Sequence, residues 1–182
     1  MLDEWSYSGK LFEERAYGGF VSSQTWGLVV AGGYNGDAIS SVETTYNGVT
    51  FGHYPDMPTE NYKSCLVMID EERIFTCGIK PGSSRQATYI FTRSARSWIS
   101  LAPMPTSRYD HSCGLVNNPD SGPEIIVAGG YDGVYLDTVD IYTVSTDSWR
   151  EGNICNQPIC NQHRCESITY LNFSKSTAKT NW

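Results

Sequence analysis

One segment of this chain, "VAGGYDGVYLDTVDIYTVSTDSW" (127–149), has a near copy upstream in "LVVAGGYNGDAISSVETTYNGVTF" (28–51). That self-similarity constrains the fold more than any other feature of the sequence. Gly32-Gly33 matches Gly129-Gly130, "YNG" matches "YDG", and "SVETTY" matches "TVDIY". Between them lies a degraded copy, "RIFTCGIKPGSSRQATYIFTRSARSW" (73–98), which keeps one glycine, Gly78. Aromatic residues mark time along the chain: Trp5, Phe51, Trp98 and Trp149 stand 46, 47 and 51 residues apart. Leu11, Met57 and Met104 each follow their aromatic by six residues. Arg15 and Arg108 follow theirs by ten, with Asn61 in that place between them. Three markers in phase establish an internal repeat.

Each unit reads as four short strands separated by turn signals. In the last copy the strands are expected near His111–Val116, Glu124–Ala128, Thr138–Thr143 and Ser148–Arg150, punctuated by "NNPDSGP", "GGYDG" and "VSTD". A repeated four-stranded unit of about 45–50 residues is the signature of a propeller blade. A glycine pair at the end of the second strand admits a close backbone approach and a turn without a Cβ penalty. The aromatics of the third strand (Tyr46, Phe91, Tyr142) and of the fourth are expected to pack over that gap and seal blade against blade.

The glycine pairs, the later Tyr and Trp, and "LAPMPTSRYDH" resemble the kelch repeats of the galactose oxidase/kelch β-propeller superfamily. The resemblance covers about residues 3–153, strongly in the first and third copies and weakly in the second. It implies an all-β partial propeller of four-stranded antiparallel blades. Residues 1–16 then form the last strand of a preceding blade and a link. Blades occupy 17–62, 63–109 (degenerate) and 110–153, and 154–182 is a divergent, cysteine-containing tail. The structural residues on this reading are Gly32, Gly33, Tyr46, Gly78, Phe91, Trp98, Gly129, Gly130, Tyr142 and Trp149. Family members with known partners bind them on the face made by the second-to-third-strand loops and the links between blades. Carried over, that face presents Tyr34, Asn35, Asp37, Arg108, Tyr109, His111, Tyr131, Asp132 and Tyr135. Tyr and Arg are among the types that dominate interface energetics.

Composition narrows the function. With 182 residues, 13 basic and 20 acidic side chains and a formal charge of -7, the chain lacks the clustered Lys and Arg that phosphate backbones require, so nucleic acid is not an expected partner. An acidic surface favours basic partner segments. No run approaches the roughly 18 apolar residues of a membrane span. The opening "MLDEWSYSGKLFEER" has neither the basic start nor the apolar core of a signal peptide.

The repeat begins and stops abruptly. "LDEWSYSG" aligns with "TDSWREGN" from inside a blade, and after Gly152-Asn153 the register collapses, Cys155 and Ile159 taking the Leu/Met and Arg places. This implies a fragment, a short isoform or an imperfect gene model; the alternative is a short protein that self-associates through open blade ends. The tail's Cys155, Cys160, His163 and Cys165 form C-x4-C-x2-H-x-C, wider than the tight C-x2-C pairs of structural zinc sites. No metal is assigned to it, and the tail is read as unstructured. "NFS" at Asn172 fits a glycosylation sequon.

Cys65 and Cys77 are the more informative thiols. In "SCLVMIDEERIFTCG" a hairpin turning at Glu71 pairs Ile69 with Arg73, Val67 with Phe75 and Cys65 with Cys77. Opposed residues lie about 4.5–5.5 Å apart at Cα, inside the disulfide window of about 4.4–6.8 Å. A cross-strand bridge is feasible and would imply an oxidising, extracellular compartment; two buried free cysteines, compatible with the cytoplasm, are the alternative. Cys113 takes the place of Cys65 in the next copy, but with Ala128 expected opposite, no matching bridge is expected there.

Catalytic signatures are missing from the sequence: there is no Gly-rich phosphate cradle before a helix, no GxSxG and no HExxH. Galactose oxidase binds copper through Tyr and His, yet His53, His111 and His163 match no such motif. The expected function is a non-catalytic kelch scaffold that binds a protein or peptide ligand without cofactor or metal. The alternative is the remnant of a secreted propeller enzyme or carbohydrate-binding protein.

Overall fold

A computed structural model describes residues 9–79, 82 and 85–152. The strand expected around Trp5 and the tail cluster of Cys155, Cys160, His163 and Cys165 lie outside the described residues, as does Asn172. Among the described residues twelve strands form three antiparallel sheets, each a meander in sequence order. The first contains β1 (Gly19–Ser23), β2 (Gly27–Tyr34), β3 (Ala38–Thr45) and β4 (Gly52–Tyr54). The second contains β5 (Cys65–Met68), β6 (Arg73–Cys77), β7 (Thr88–Thr92) and β8 (Ser97–Ser100). The third contains β9 (Ser112–Asn118), β10 (Gly122–Ala128), β11 (Val139–Thr143) and β12 (Ser148–Glu151). The first strands β1, β5 and β9 are neighbours in space, so the sheets stack as blades around one edge. Among the described residues the stack is open: three blades do not close a ring.

Strand alternation sends one face of each middle strand to each neighbour. In β6, Ile74 faces the first blade, joining Trp26, Val29, Val42, Met57 and Phe91. Its neighbour Phe75 faces the third blade, joining Cys65, Ile90, Met104, Ile125, Val127 and Tyr142. The fourth-strand tryptophans seal these interfaces. Trp98 packs on Phe91 and donates its indole N–H to the Pro55 carbonyl at 3.0 Å, and Trp149 packs on Tyr142 and donates to the Ala102 carbonyl at 2.8 Å. Each indole thus reaches back to the segment leaving the preceding blade. Met57 and Met104 fill the cores beside these contacts, which is why they recur in phase.

The arginine marker is a buried clamp. Arg15 donates to the carbonyls of Gly32 (2.7 Å) and Ser41 (3.0 Å) and pairs with Glu43. Arg108 repeats this one for one: Gly129 (2.7 Å), Thr138 (3.0 Å) and Asp140 (2.7 Å). Both pairs are almost completely buried. The second blade replaces both partners: Asn61 stands for the arginine, and Tyr89 occupies the place of Glu43 and Asp140. Losing both together avoids the several kcal/mol of a lone buried charge.

Backbone approaches closely at the glycine pair of the first blade. Gly32 has φ +63, and a Cβ there would lie 2.4 Å from the Asn61 carbonyl oxygen, so the incoming link can pass only over hydrogen. One expectation is corrected. Tyr46 does not seal an interface; it is 65% exposed and donates its hydroxyl to the Thr25 carbonyl. A register shift between Ala31 and Gly33 accompanies the change, and the buried Thr45 pairs with Leu28 where Phe91 and Tyr142 pair with Ile74 and Ile125.

Candidate interaction surface

The links between blades cross the ends of the second strands, and this builds one surface from three blades. Ala16 bridges Tyr34, and Tyr109 bridges Tyr131, through paired backbone hydrogen bonds. Aromatic rings gather there. Tyr34, 39% exposed, meets Tyr62 at 5.2 Å between ring centroids. Tyr109, Tyr131 and Tyr135 form an edge-to-face series at 5.6 and 5.3 Å, ending in Tyr135 at 73% exposure. Asp132 pairs with Arg85, whose guanidinium lies 5.2 Å from the Tyr109 ring centroid. Asn35 and Asp37 are exposed in the first-blade turn, where Asn35 donates its side-chain amide to Glu13.

Two expected members of this surface are not on it. Arg108 is the buried clamp described above, with no exposed area. His111 is 7% exposed and points between the second and third blades. Both positions read as surface because they belong to a link, and links usually are; here the link dips under the glycine pair.

The sequence reading missed Tyr17, Lys63 and Asp110. These residues sit at the same phase of the three links, and all adopt left-handed backbone, with φ of 56°, 59° and 55°. Their backbones form a ladder from blade to blade: Lys63 donates to the Tyr17 carbonyl (3.1 Å), and Asp110 donates to the Lys63 carbonyl (3.0 Å). The side chains repeat the connection. Lys63 Nζ lies 5.0 Å from the Tyr17 ring centroid and 2.7 Å from Asp110. The hydrogen bond from Lys63 to Asp110 raises the lysine pKa above its ordinary value, against the opposing effect of partial burial. A recurring positive φ at non-glycine residues marks strain held by its surroundings. Only the 46- and 47-residue spacing of these three could have flagged them.

The thiols also differ from expectation. The hairpin register is as read, with Cys65 opposite Cys77 and Val67 opposite Phe75. The disulfide, however, joins Cys65 to Cys113 of the next blade, with Cα atoms 5.9 Å apart, and Cys77 is a buried free thiol. Cys113 stands opposite Val127, while Ser112 takes the place opposite Ala128. That one-residue offset matters because strand neighbours point to opposite faces. It turns Cys113 toward the second blade, where it packs on the core that holds Cys65.

Residues 121–156, which include β10, β11 and β12, match the family model of the kelch motif. With this motif match, the three stacked four-stranded antiparallel sheets are consistent with a partial kelch propeller. No curated protein matches the chain. Kelch repeats commonly mediate protein binding, and no helix among the described residues is long and apolar enough to cross a membrane.

Proposed function

We propose that this chain is a non-catalytic protein-binding scaffold of three kelch blades (17–62, 63–109 and 110–153) and that it takes its ligand on the link-and-loop surface. The observation that carries this reading is the series Tyr109, Tyr131, Tyr135, ending in a ring that is 73% exposed. A tyrosine ring held in water adds little to folding but offers rigid, amphipathic area to a partner. Tyr34 extends the same surface on the first blade, and Arg85 and Asp132 supply charge at its edge. The chain's excess of acidic side chains suits a basic segment in the ligand.

Cross-linking capture with the wild-type chain and with a Tyr34→Ala/Tyr135→Ala variant tests the surface. The variant should keep its melting temperature and lose the cross-linked partner, whereas Tyr46→Ala, an exposed tyrosine elsewhere, should keep it. Equal capture by all three would place the binding surface elsewhere. Copper titration with an alcohol-oxidation assay tests the non-catalytic part, since metal-dependent turnover would reject it.

A further inference from the structure

Between the second and third blades lies a cluster that the binding surface does not use. The Sγ atoms of Cys65 and Cys77 are 3.7 Å apart, and Cys77 Sγ lies 3.6 Å from His111 Nε2. A ligand atom from each of Cys65, Cys77 and His111 lies within 4.8 Å of the other two, and all three residues are buried. Cys113 Sγ is bonded directly to Cys65 Sγ, so a third sulfur adjoins the group.

Two of those separations have the length of edges of a coordination tetrahedron. Zinc binds sulfur at about 2.3 Å and imidazole nitrogen at about 2.0–2.1 Å. Tetrahedral angles then put two sulfurs about 3.8 Å apart and a sulfur and a nitrogen about 3.5 Å apart. The observed 3.7 and 3.6 Å match both. Four such donors, three thiolates and one imidazole, make one of the ligand sets that structural zinc uses.

The remaining features agree. Gly78 makes the space: a Cβ there would lie 2.2 Å from His111 Cε1. Cys113 is only half-buried, which leaves an approach from solvent. The fold itself does not call for these residues. Opposite Gly19 in the first blade stands Ala31, and opposite Ser112 in the third stands Ala128. The pair Cys65 and Cys77 is peculiar to the second blade, the one whose repeat has otherwise decayed.

We propose that Cys65, Cys77, Cys113 and His111 form a tetrahedral zinc site in the reduced protein, and that the Cys65–Cys113 disulfide is the same site in its oxidised, metal-free form. A thiol reductant opens the bridge by supplying two electrons and two protons, and is itself left as a disulfide. Zinc then displaces three protons from the three thiols and takes the neutral imidazole as fourth ligand. A disulfide oxidant takes the two electrons of the Cys65 and Cys113 thiolates, is itself reduced to two thiols with two protons from solvent, and so removes two ligands at once and releases the ion, the Cys77 thiolate being reprotonated. Either state staples the same two blades, by a covalent bond or through a metal.

Cobalt(II) is the probe, because tetrahedral thiolate coordination gives intense visible ligand-field bands and a near-ultraviolet sulfur-to-metal charge-transfer band. The full chain carries Cys155→Ser, Cys160→Ser and Cys165→Ser, so that the tail cannot contribute sulfur. After reduction with a phosphine under anaerobic conditions, it should bind one cobalt per chain with that spectrum. Zinc should displace the cobalt and raise the melting temperature of the reduced chain. Cys77→Ala, which installs the residue used by both other blades, should abolish the spectrum while keeping the β-sheet circular dichroism, as should His111→Asn. Reoxidation should release the ion as the Cys65–Cys113 bond reforms. The proposal is overturned if the reduced chain takes up no tetrahedral cobalt, whether folded or not, or if uptake survives both Cys77→Ala and His111→Asn.

Discussion

Arg108 donates to Asp140 at 2.7 Å where neither side chain reaches water, and the same guanidinium holds the Gly129 and Thr138 carbonyls. The pair therefore fixes the turn between the second and third strands of its blade from beneath. Removing one member leaves the other charged and buried, a change that costs about 3–5 kcal/mol. Arg108→Leu should lower stability by that order in denaturant unfolding. The double variant Arg108→Asn/Asp140→Tyr, which copies the Asn61 and Tyr89 combination of the second blade, should recover a large part of the loss. A double variant no more stable than the single one would show that the carbonyl contacts, not charge balance, dominate.

Gly78 and Gly133 both have positive φ, +69 and +88, but only Gly78 is crowded. An alanine at either position bears the left-handed backbone penalty of about 1–2 kcal/mol. At Gly78 the new Cβ would also meet His111 and the Arg108 carbonyl, while at Gly133 nothing lies within 4 Å. Gly78→Ala should thus be destabilising by about 1–3 kcal/mol more than Gly133→Ala, read from paired thermal melts. Equal losses would mean that the link relaxes away from Gly78.

Alkylation before and after reduction, followed by peptide mapping, should find Cys65 linked to Cys113 in oxidised protein. Cys77 should stay unlabelled until the protein is unfolded, because it has no exposed area and burial raises its thiol pKa, keeping it in the unreactive thiol form. A Cys65–Cys77 peptide would contradict the structure directly.

His111 gives stability an acid limb. Burial, reinforced by Arg108, lowers its pKa from 6.5 to about 3. The unfolded chain takes up a proton below pH 6.5 that the folded one refuses until about pH 3. Stability fully present above pH 6.5 is therefore lost as pH falls through that window, at up to about 1.4 kcal/mol per unit. Oxidised His111→Asn should show a shallower decline between pH 6.5 and 4. Parallel curves for the two proteins would assign the acid limb to other groups.

The open stack bears on association. The two apolar cores lie between the first and second blades and between the second and third. Among the described residues no blade covers the other faces of the first and third, and Phe20 of β1 is 73% exposed. Light scattering coupled to size exclusion should find dimers or larger species for a chain of this sequence. A monodisperse monomer with a cooperative melt would mean that these faces are capped within one chain.

The blade count, the four strands of each blade and the phase of the sealing tryptophans and methionines were legible in the sequence, while the sealing role expected of Tyr46 was not met. Each of them depends on local periodicity. Strand alternation repeats every two residues and the blade every 46 to 51, so Trp98, Trp149, Met57 and Met104 announce their roles by position alone. The hairpin register of Cys65 and Cys77 was readable for the same reason: a turn at Glu71 leaves one pairing that matches the pattern. What the tertiary structure decided is everything that passes between blades. Arg108 and His111 lie in a link, yet the approach of that link to Gly129 and Gly78 buries them. Cys65 bonds to Cys113 rather than to its strand partner because stacking brings two first strands together, and a one-residue offset turns Cys113 toward that contact. Repeat spacing states which residues are equivalent. It does not state which equivalent positions meet, since that depends on the twist and stacking of whole sheets.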